Sequence, residues 1–566
     1  MHNGLSIKQL ASDMENNINK KTPIRRLFDL LNLERKDINL LVVLTFGYGV
    51  LGIATPIAVQ ALVNIVTMGG LLQPLFIVSL ILFILLVLSG ALYVFEAYVV
   101  ELIQRRVFVR TTINVAKHGQ GVDCSLYDYS NPVELMNRFF DITTVQKSAA
   151  TLLTVSLAAF LQGFIGSVIL IFYSLYFAIL VVVMLVFLAI IIFILGRKGI
   201  DTAIDESKTK YATAAWLETI ARNYNVFKFF NGLTRANRLS NDLAGQYIKK
   251  RKEHFRTLLA QNVGAVTLYA VVGTLMLALG GGLVIKGQIN LGQFVAAELI
   301  IFGVLAAFVR FITKLEYFYD MLAALDKIGF LDDLPQEKIG TYTIASEGFS
   351  RLEGFNLSFN FSPRSKLIEH VSFSLSQGES LAVLGESGAG KTTLLGIVTG
   401  LRQPTAGYVE YDGNDLRQLN QNLLRNAIGV AGRVEVIEGT IIENILLDRE
   451  GISLNNVNLI LGELGLLEDF TSLEHGLETE LTAFGAPLST TQLQRLMLAR
   501  AIVGHPKLLI IDGLLDNLTM TELNSVLNLL KTHQKDWMLM VATRFEHIAN
   551  QFNHIISLNQ QSSEQR

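Results

Sequence analysis

Long stretches without a charged residue constrain this chain more than any other feature of its sequence. Residues 38–95, 149–196 and 257–285 contain no Asp, Glu, Lys or Arg. A helix that crosses the hydrocarbon core of a bilayer needs about 20 apolar residues. The first two stretches are each long enough for two such helices, and the third is long enough for one. Because only 17% of all residues are charged, the sequence predicts a membrane protein and not a soluble enzyme.

Turn signals divide the two longer stretches, and a further span follows the third one. Met68-Gly69-Gly70 with Pro74 breaks the first stretch, and Tyr173-Ser174 breaks the second. The polar segment from Lys286 to Asn290 separates the third stretch from another apolar segment at about 291–313. The sequence therefore predicts six transmembrane helices.

The positions of the basic residues predict the orientation of these helices. They cluster before the first span, after the second and fourth, and before the fifth, as expected for cytoplasmic ends. These residues are Lys20, Lys21, Arg25, Arg26, Arg35, Lys36, Arg105, Arg106, Arg110, Arg197, Lys198 and the segment 249–252. Both termini are thus expected in the cytoplasm. The helical patterns of 97–148 and 197–256 predict that spans two to five continue beyond the membrane. An interfacial helix is expected after Thr22, which can cap it.

The overall composition excludes several other kinds of site. The net charge of −2 provides no field for nucleic acid, so no nucleic-acid partner is expected. The single cysteine, Cys124, allows neither an intramolecular disulfide nor a cysteine-based metal site. Because no Cys/His pair precedes the first span, a peptidase domain that cleaves leader sequences is not expected there.

A phosphate-binding loop follows the predicted strand Ser380 to Leu384. The loop and the start of the next helix consist of Gly385, Glu386, Ser387, Gly388, Ala389, Gly390, Lys391, Thr392 and Thr393. This is the pattern G-x-x-x-x-G-K-[ST] between a strand and a helix, where backbone N–H groups converge on phosphate oxygens. Lys391 is predicted to reach the β- and γ-phosphates, and Thr392 to bind Mg²⁺. A second apolar strand, Pro506 to Asp512, ends in a carboxylate suited to the same Mg²⁺.

With six spans followed by these two motifs, the chain resembles an ABC exporter half-transporter. Further segments carry the resemblance: Asn356 to Phe361, Gly439 to Ile445, and Gln494 to Ala501. The resemblance implies that ATP and Mg²⁺ bind and that Phe361 stacks on adenine. The segment from Asn137 to Asp141 is most similar to bacterial type I secretion and peptide exporters.

The fold class follows as an α-helical polytopic membrane domain and an α/β P-loop nucleotide-binding domain. The predicted divisions are a cytoplasmic segment with an interfacial helix at 1–37, a transmembrane domain at 38–330, a linker at 331–350, an ABC nucleotide-binding domain at 351–560 and a polar tail at 561–566.

Residues that carry out hydrolysis in the family are replaced in this chain. Where the family has Leu-Ser-Gly-Gly-Gln, the signature segment is Leu488, Ser489, Thr490, Thr491 and Gln492. Gly513 replaces the catalytic glutamate, Thr543 the switch histidine, Gly432 the glutamine ligand and Thr519 a loop aspartate. The alternative for the signature segment is that Ser489 or Thr490 simply caps the following helix. The pattern predicts a chain that binds Mg-ATP with little or no intrinsic hydrolysis.

Two functional hypotheses remain open at this point. In the first, the chain is half of an exporter in the bacterial inner membrane and couples ATP binding to export. Its partner would be a second copy or a different half-transporter, with membrane lipid around it and a membrane-fusion protein as a further candidate. In the second, it is a pseudo-ATPase of exporter fold with a structural or regulatory role. Glu298, inside the sixth span, is either functional or a carboxylate that faces water in the cavity.

Overall fold

The computed structural model describes residues 21–67, 72–127, 132–229, 231–343, 348–362 and 365–558. The chain divides into two compact units, Met1–Val122 with Tyr129–Gln336, and Asp123–Asp128 with Glu337–Arg566. The predicted turn at Met68-Gly69-Gly70 and the predicted tail at 561–566 lie outside the described residues. The helix Leu315–Asp333 continues into the start of the predicted linker at 331–350.

The first unit confirms the prediction of six spans within the described residues. Helices are required there because a bilayer core offers no water to bind unpaired backbone groups. The six apolar helical segments are Arg35–Thr67, Leu72–Gln120, Pro132–Tyr173, Leu175–Arg222, Gly232–Ile285 and Leu291–Asp333. The last five contain 42 to 54 residues each, so each one extends beyond a bilayer that about 20 residues can cross. Spans two to five were predicted to continue in this way, and the sixth does so as well.

Several of these segments consist of shorter helices with local breaks. The first span is interrupted after Leu51, and Ser174 begins the fourth by accepting a hydrogen bond from the backbone N–H of Tyr176. Asn290 and Gln293 form a capping box at the start of the sixth. The α-helices of this unit are Pro23–Leu33, Arg35–Leu51, Ala54–Thr67, Leu72–Gln120, Pro132–Asn137, Ile142–Thr151, Leu157–Tyr173, Leu175–Ala189, Gly199–Arg222, Tyr224–Lys228, Gly232–Ile285, Leu291–Thr313 and Leu315–Asp333. The short helix Cys124–Tyr127 belongs to the second unit.

The helix predicted after Thr22 is present and is attached to the end of the sixth helical segment. Thr22 caps it, and Pro23 occupies its first position. Arg26 is buried, and its Nη1 donates a 2.7 Å hydrogen bond to the carbonyl oxygen of Gly329. Its Nη2 forms an ion pair with Asp333, which is also buried. This buried pair fixes the N-terminal helix to the membrane unit.

The second unit contains eleven strands in the described residues. They are β1 (Arg351–Ser362), β2 (Ser365–Ser376), β3 (Ser380–Leu384), β4 (Ala406–Tyr411), β5 (Asn414–Asp415), β6 (Ile428–Ala431), β7 (Gly439–Thr440), β8 (Glu480–Leu481), β9 (Leu508–Asp512), β10 (Met538–Thr543) and β11 (His554–Ser557). The helices of this unit are Lys391–Val398, Gln421–Asn426, Ile441–Leu446, Leu454–Glu463, Leu467–Thr471, Thr490–Val503, Met520–Thr532 and Glu546–Ala549.

A parallel sheet in the order β11-β3-β10-β9-β6 forms the centre of this unit, and an antiparallel sheet in the order β2-β1-β4-β5 is separate from it. Successive side chains of a strand point to opposite faces. Accordingly, Leu508 and Ile510 of β9 belong to one hydrophobic core, whereas Leu509 and Ile511 belong to another. Because both faces are covered there, β3 and β9 are continuous apolar runs, and the sequence predicted both of them.

Replacement of Arg26 by Ala should destabilise the membrane unit. It would leave the Asp333 carboxylate buried without its cation, at a cost of about 3 kcal/mol. The apparent melting temperature of the purified protein should fall, and limited proteolysis should cleave earlier near the N-terminal helix. Arg25→Ala is the matched control because Arg25 is exposed on the same helix. Equal melting temperatures for the two variants would contradict this role of Arg26.

Candidate functional site

Four neighbouring parallel strands end at one edge of the central sheet. The register pairs Leu384 at the end of β3 with Thr543 at the end of β10. It also pairs Ala542 of β10 with Asp512, the last residue of β9, and Ala431 of β6 with Ile511. The loops that follow these four strands therefore begin side by side. Ligands of open α/β sheets bind at this carboxyl edge.

The loop after β3 has the geometry of a phosphate cradle. Gly388 and Gly390 have φ angles of +87° and +95°, a region that favours glycine. A Cβ at Gly390 would also lie only 3.0 Å from Cγ of Leu367. The Lys391 amine donates hydrogen bonds of 2.6 Å and 2.9 Å to the carbonyl oxygens of Gly385 and Glu386. The charge of Lys391 is thus held over the loop at the start of a helix, where anions are favoured.

A cavity of about 720 Å³ lies against this loop. It brings together most of the residues that the sequence predicted for nucleotide and metal binding: Phe361, Ser387, Gly388, Gly390, Lys391, Thr392, Thr393 and Asp512. Gly385, Glu386 and Ala389 belong to the loop but do not line the cavity. Gly432 and Gly513 line it as well. The residues present therefore fit a nucleotide with a bound Mg²⁺.

Asp512 is a half-buried carboxylate at the centre of this arrangement. The pKa of Asp512 is raised, mainly by burial and also by the nearby charge of Asp516. A hydrogen bond from Thr392 and the charge of Lys391 act in the opposite direction. The two predicted Mg²⁺ ligands, Thr392 and Asp512, are thus in direct contact. Phe361 also lines the cavity, where its ring centre lies 5.3 Å from the Arg402 guanidinium and its side chain is 43% exposed.

The predicted replacements at the edge have their own local structure. Gly513 has a φ of +66°, which a glutamate would adopt only with strain. A Cβ at Gly432 would lie 3.1 Å from Cβ of Asp512. Thr543 is fully buried, its hydroxyl donates to Asp516, and it accepts a 3.1 Å hydrogen bond from the backbone N–H of Phe545. The hydroxyl of Thr543 is therefore engaged within the protein.

The signature segment starts the helix Thr490–Val503 with a complete capping box. The Ser489 hydroxyl accepts from the backbone N–H of Gln492, and the Gln492 side chain accepts from the backbone N–H of Ser489. Gln492 also donates a 3.1 Å hydrogen bond to Asp469. Ser489 therefore caps the helix, as the alternative interpretation of the sequence predicted, and Thr490 is the first helical residue. Thr519 likewise forms a capping box with Glu522.

Sequence reasoning missed four polar residues that line the same cavity: Arg433, Asp516, Asn517 and Arg544. They match no short motif. Their shared feature is their position, because Arg433 and Arg544 follow the ends of β6 and β10, the two strands that flank β9. Strand order, which places them beside Asp512, is not readable from one sequence.

The membrane unit contains buried acidic residues that the sequence analysis also missed. Glu34 is 3% exposed and forms ion pairs of 3.2 Å with Arg106 and 2.9 Å with Arg110. It lies at the margin of an apolar cavity of about 420 Å³. Glu96, directly after the first charge-free stretch, is 1% exposed. Glu298 is half-buried in the sixth span.

Comparison with protein families gives two matches, one for each unit. Residues 38–308 match the family described as "ABC transporter transmembrane region". Residues 368–515 match the family described as "ABC transporter". The two matches follow one another in the order expected from the sequence.

Individual relatives agree with this assignment. The chain is 29% identical over 291 residues to a leukotoxin export ATP-binding protein of Aggregatibacter actinomycetemcomitans, covering 51% of this chain and 41% of that protein. It is 30% identical over 264 residues to an alpha-hemolysin translocation ATP-binding protein of Escherichia coli, covering 46% and 37%. The matched regions thus span about two fifths of the length of these relatives.

A solved structure shows the same fold over nearly the whole chain. A bacterial Atm1-family ABC exporter with ATP bound superimposes with a TM-score of 0.83 at 17% identity, covering 93% of this chain and 94% of that one. The six apolar helices, the sheet with its phosphate loop and the two family matches lead to one conclusion. This multi-pass membrane protein is an ABC transporter, a membrane domain fused to one nucleotide-binding domain with the fold of an exporter, and its sequence is similar to those of type I secretion exporters.

Proposed function

We propose that this chain binds ATP with Mg²⁺ and couples that binding to export across a bacterial inner membrane, with little or no hydrolysis of its own. One observation carries the proposal. Lys391, Thr392 and Asp512 line a single cavity, whereas Gly432 and Gly513 line it where the family has a glutamine and a glutamate. The groups that hold a nucleotide are present, and the groups that cleave it are replaced.

The arrangement of hydrogen bonds explains why hydrolysis should be slow. A positioned general base contributes about 10²–10⁴-fold to a rate, and a donor to developing charge about 10²–10³-fold. Gly513 has no carboxylate, and the hydroxyl of Thr543 is bonded to Asp516. The contributions of the base and of the donor to the rate cannot simply be multiplied. The loss of either one would still reduce turnover far below the needs of a pump.

A dimer completes the site in this family. Each nucleotide lies between the phosphate loop of one subunit and the signature segment of the other. The partner is therefore a second copy of this chain or a different half-transporter. The relatives are named for leukotoxin export and hemolysin translocation, which supports an export role. A membrane-fusion protein is proposed as a further partner.

The second candidate function is a pseudo-ATPase with a structural or regulatory role. The capping boxes of Ser489 and Thr519 favour it, because both segments are stabilised by contacts within the chain itself. Both functions require ATP binding, and they differ in whether substrate moves. A neighbouring gene for a half-transporter with complete motifs would favour export.

The proposed orientation places both termini in the cytoplasm. In a Cys124→Ser background, Gln288→Cys should react with a membrane-impermeant thiol reagent added outside the cells. Ser350→Cys should react only after the membrane is opened. External labelling at position 350 would refute this orientation.

The purified chain should bind Mg-ATP without turning it over appreciably. Lys391→Ala should abolish binding in titration calorimetry, because it removes the charge held over the phosphate loop. Lys535→Ala is the matched control, since Lys535 is exposed and does not line the cavity. Robust phosphate release by the wild type that disappears in Lys391→Ala would show that another residue replaces the missing glutamate.

The signature threonines should limit any heterodimer with a catalytically complete partner. There, Thr490→Gly with Thr491→Gly should raise ATPase activity about tenfold or more, because the helix start can approach the γ-phosphate more closely. Replacing both threonines by alanine keeps the helix and removes only the β-branched side chains, so it tests their effect alone.

The homodimer provides the internal control for the glycine pair. The same two substitutions should leave its activity unchanged, because Gly513 still provides no carboxylate. A homodimer activated by the glycines alone would mean that the catalytic carboxylate lies elsewhere.

A further inference from the structure

Two arginines flank Asp512 at the carboxyl edge of the central sheet. Strand β9, which ends at Asp512, lies between β10 and β6. Arg544 directly follows β10, and Arg433 is the second residue after β6. Each of the two strands that flank β9 is therefore followed closely by an arginine. Both arginines line the cavity that contains Lys391.

The guanidinium of Arg433 is available for a ligand. Arg433 is exposed, and within the described residues its side chain has neither a hydrogen bond nor an ion pair. Guanidinium groups bind phosphate through two parallel N–H donors, which a lysine cannot do. An arginine in this position beside a phosphate loop is thus suited to a phosphate oxygen.

Arg544 is held at its base and exposed at its end. Its backbone N–H donates a 3.0 Å hydrogen bond to Asp516, and its Nε lies 3.9 Å from the same carboxylate. The guanidinium also lies 4.7 Å from the ring centre of Phe545. These contacts orient the Arg544 side chain, which remains 50% exposed at the cavity. The Thr543 hydroxyl completes the arrangement by donating to Asp516.

The position of the two arginines identifies the part of a nucleotide that they would meet. Phe361 and its neighbour Arg402 mark the end of the cavity expected for the base. Asp512 and Thr392 mark the end expected for the β- and γ-phosphates. Because the arginines lie on both sides of Asp512, they are at the phosphate end. With Lys391 they bring three positive charges to that end.

We propose that Arg433 and Arg544 bind the terminal phosphate and make this site selective for nucleoside triphosphate over diphosphate. The proposal rests on the proposed nucleotide binding and adds the residues that distinguish ATP from ADP. A diphosphate fills the loop around Lys391 but does not reach the two arginines. The site thereby detects the third phosphate without needing to cleave it.

The test measures two affinities for each variant of the full-length purified protein. Titration calorimetry with Mg²⁺ uses ADP and a non-hydrolysable ATP analogue, so that the result does not depend on turnover. Arg433→Ala and Arg544→Ala should each weaken the analogue about tenfold, the size expected for a charge-assisted hydrogen bond, and change ADP less than about twofold. In the double variant the preference for the triphosphate should disappear.

Arg402→Ala is the matched control beside Phe361, the residue expected to contact the base. It should weaken both nucleotides by the same factor and preserve their ratio. An unchanged melting temperature shows that each variant is folded. The inference is overturned if the double variant keeps the wild-type ratio, if both nucleotides weaken equally, or if the wild type binds ADP as tightly as the analogue. A separate measurement of phosphate release from ATP tests the proposed absence of hydrolysis, and its failure leaves this result intact.

Discussion

The absence of water in a bilayer core is the constraint on which this structure depends. Every backbone N–H and C=O group inside it must be paired within the protein, and a helix pairs them within one segment. Helical segments of 42 to 54 residues, some of them with local breaks, then extend the same backbone pairing beyond the bilayer. The α/β unit satisfies its backbone groups differently, through a parallel sheet that is covered on both faces.

The parallel sheet has a consequence for function. In parallel strands all carboxyl ends meet at one edge, so residues far apart in the chain become neighbours. Gly385, Gly432, Gly513 and Arg544 each lie next to the end of a different strand, yet their loops surround one cavity. Substitutions at this edge therefore affect one another. The Thr543 hydroxyl, for example, bonds to Asp516, which in turn affects the pKa of Asp512.

Local patterns in the sequence predicted much of this architecture, and tertiary pairing accounts for the remainder. Charge-free runs located the six helices, and the strand Ser380–Leu384 with its loop matched the structure residue by residue. The sequence pattern did not predict the continuation of the sixth helix, since Leu315–Asp333 mixes acidic residues with the apolar ones that it buries. It also missed Arg433 and Arg544, because their significance comes from strand order. Burial of Glu34 depends likewise on Arg106 and Arg110, which are distant in the sequence.

The residues that replace the family's catalytic groups fit the local structure around them. They therefore differ from isolated losses of single catalytic side chains. Gly513 adopts a φ of +66°, so a glutamate placed there would be strained as well as chemically useful. At Gly432, a larger side chain would have to displace its neighbours, because even a Cβ would lie 3.1 Å from that of Asp512. Thr490, which replaces a family glycine, is the first residue of the helix that Ser489 caps. Restoring one family residue at a time should therefore be opposed by the local structure. Under the proposed function, efficient cleavage would therefore require several coordinated changes at this edge of the sheet.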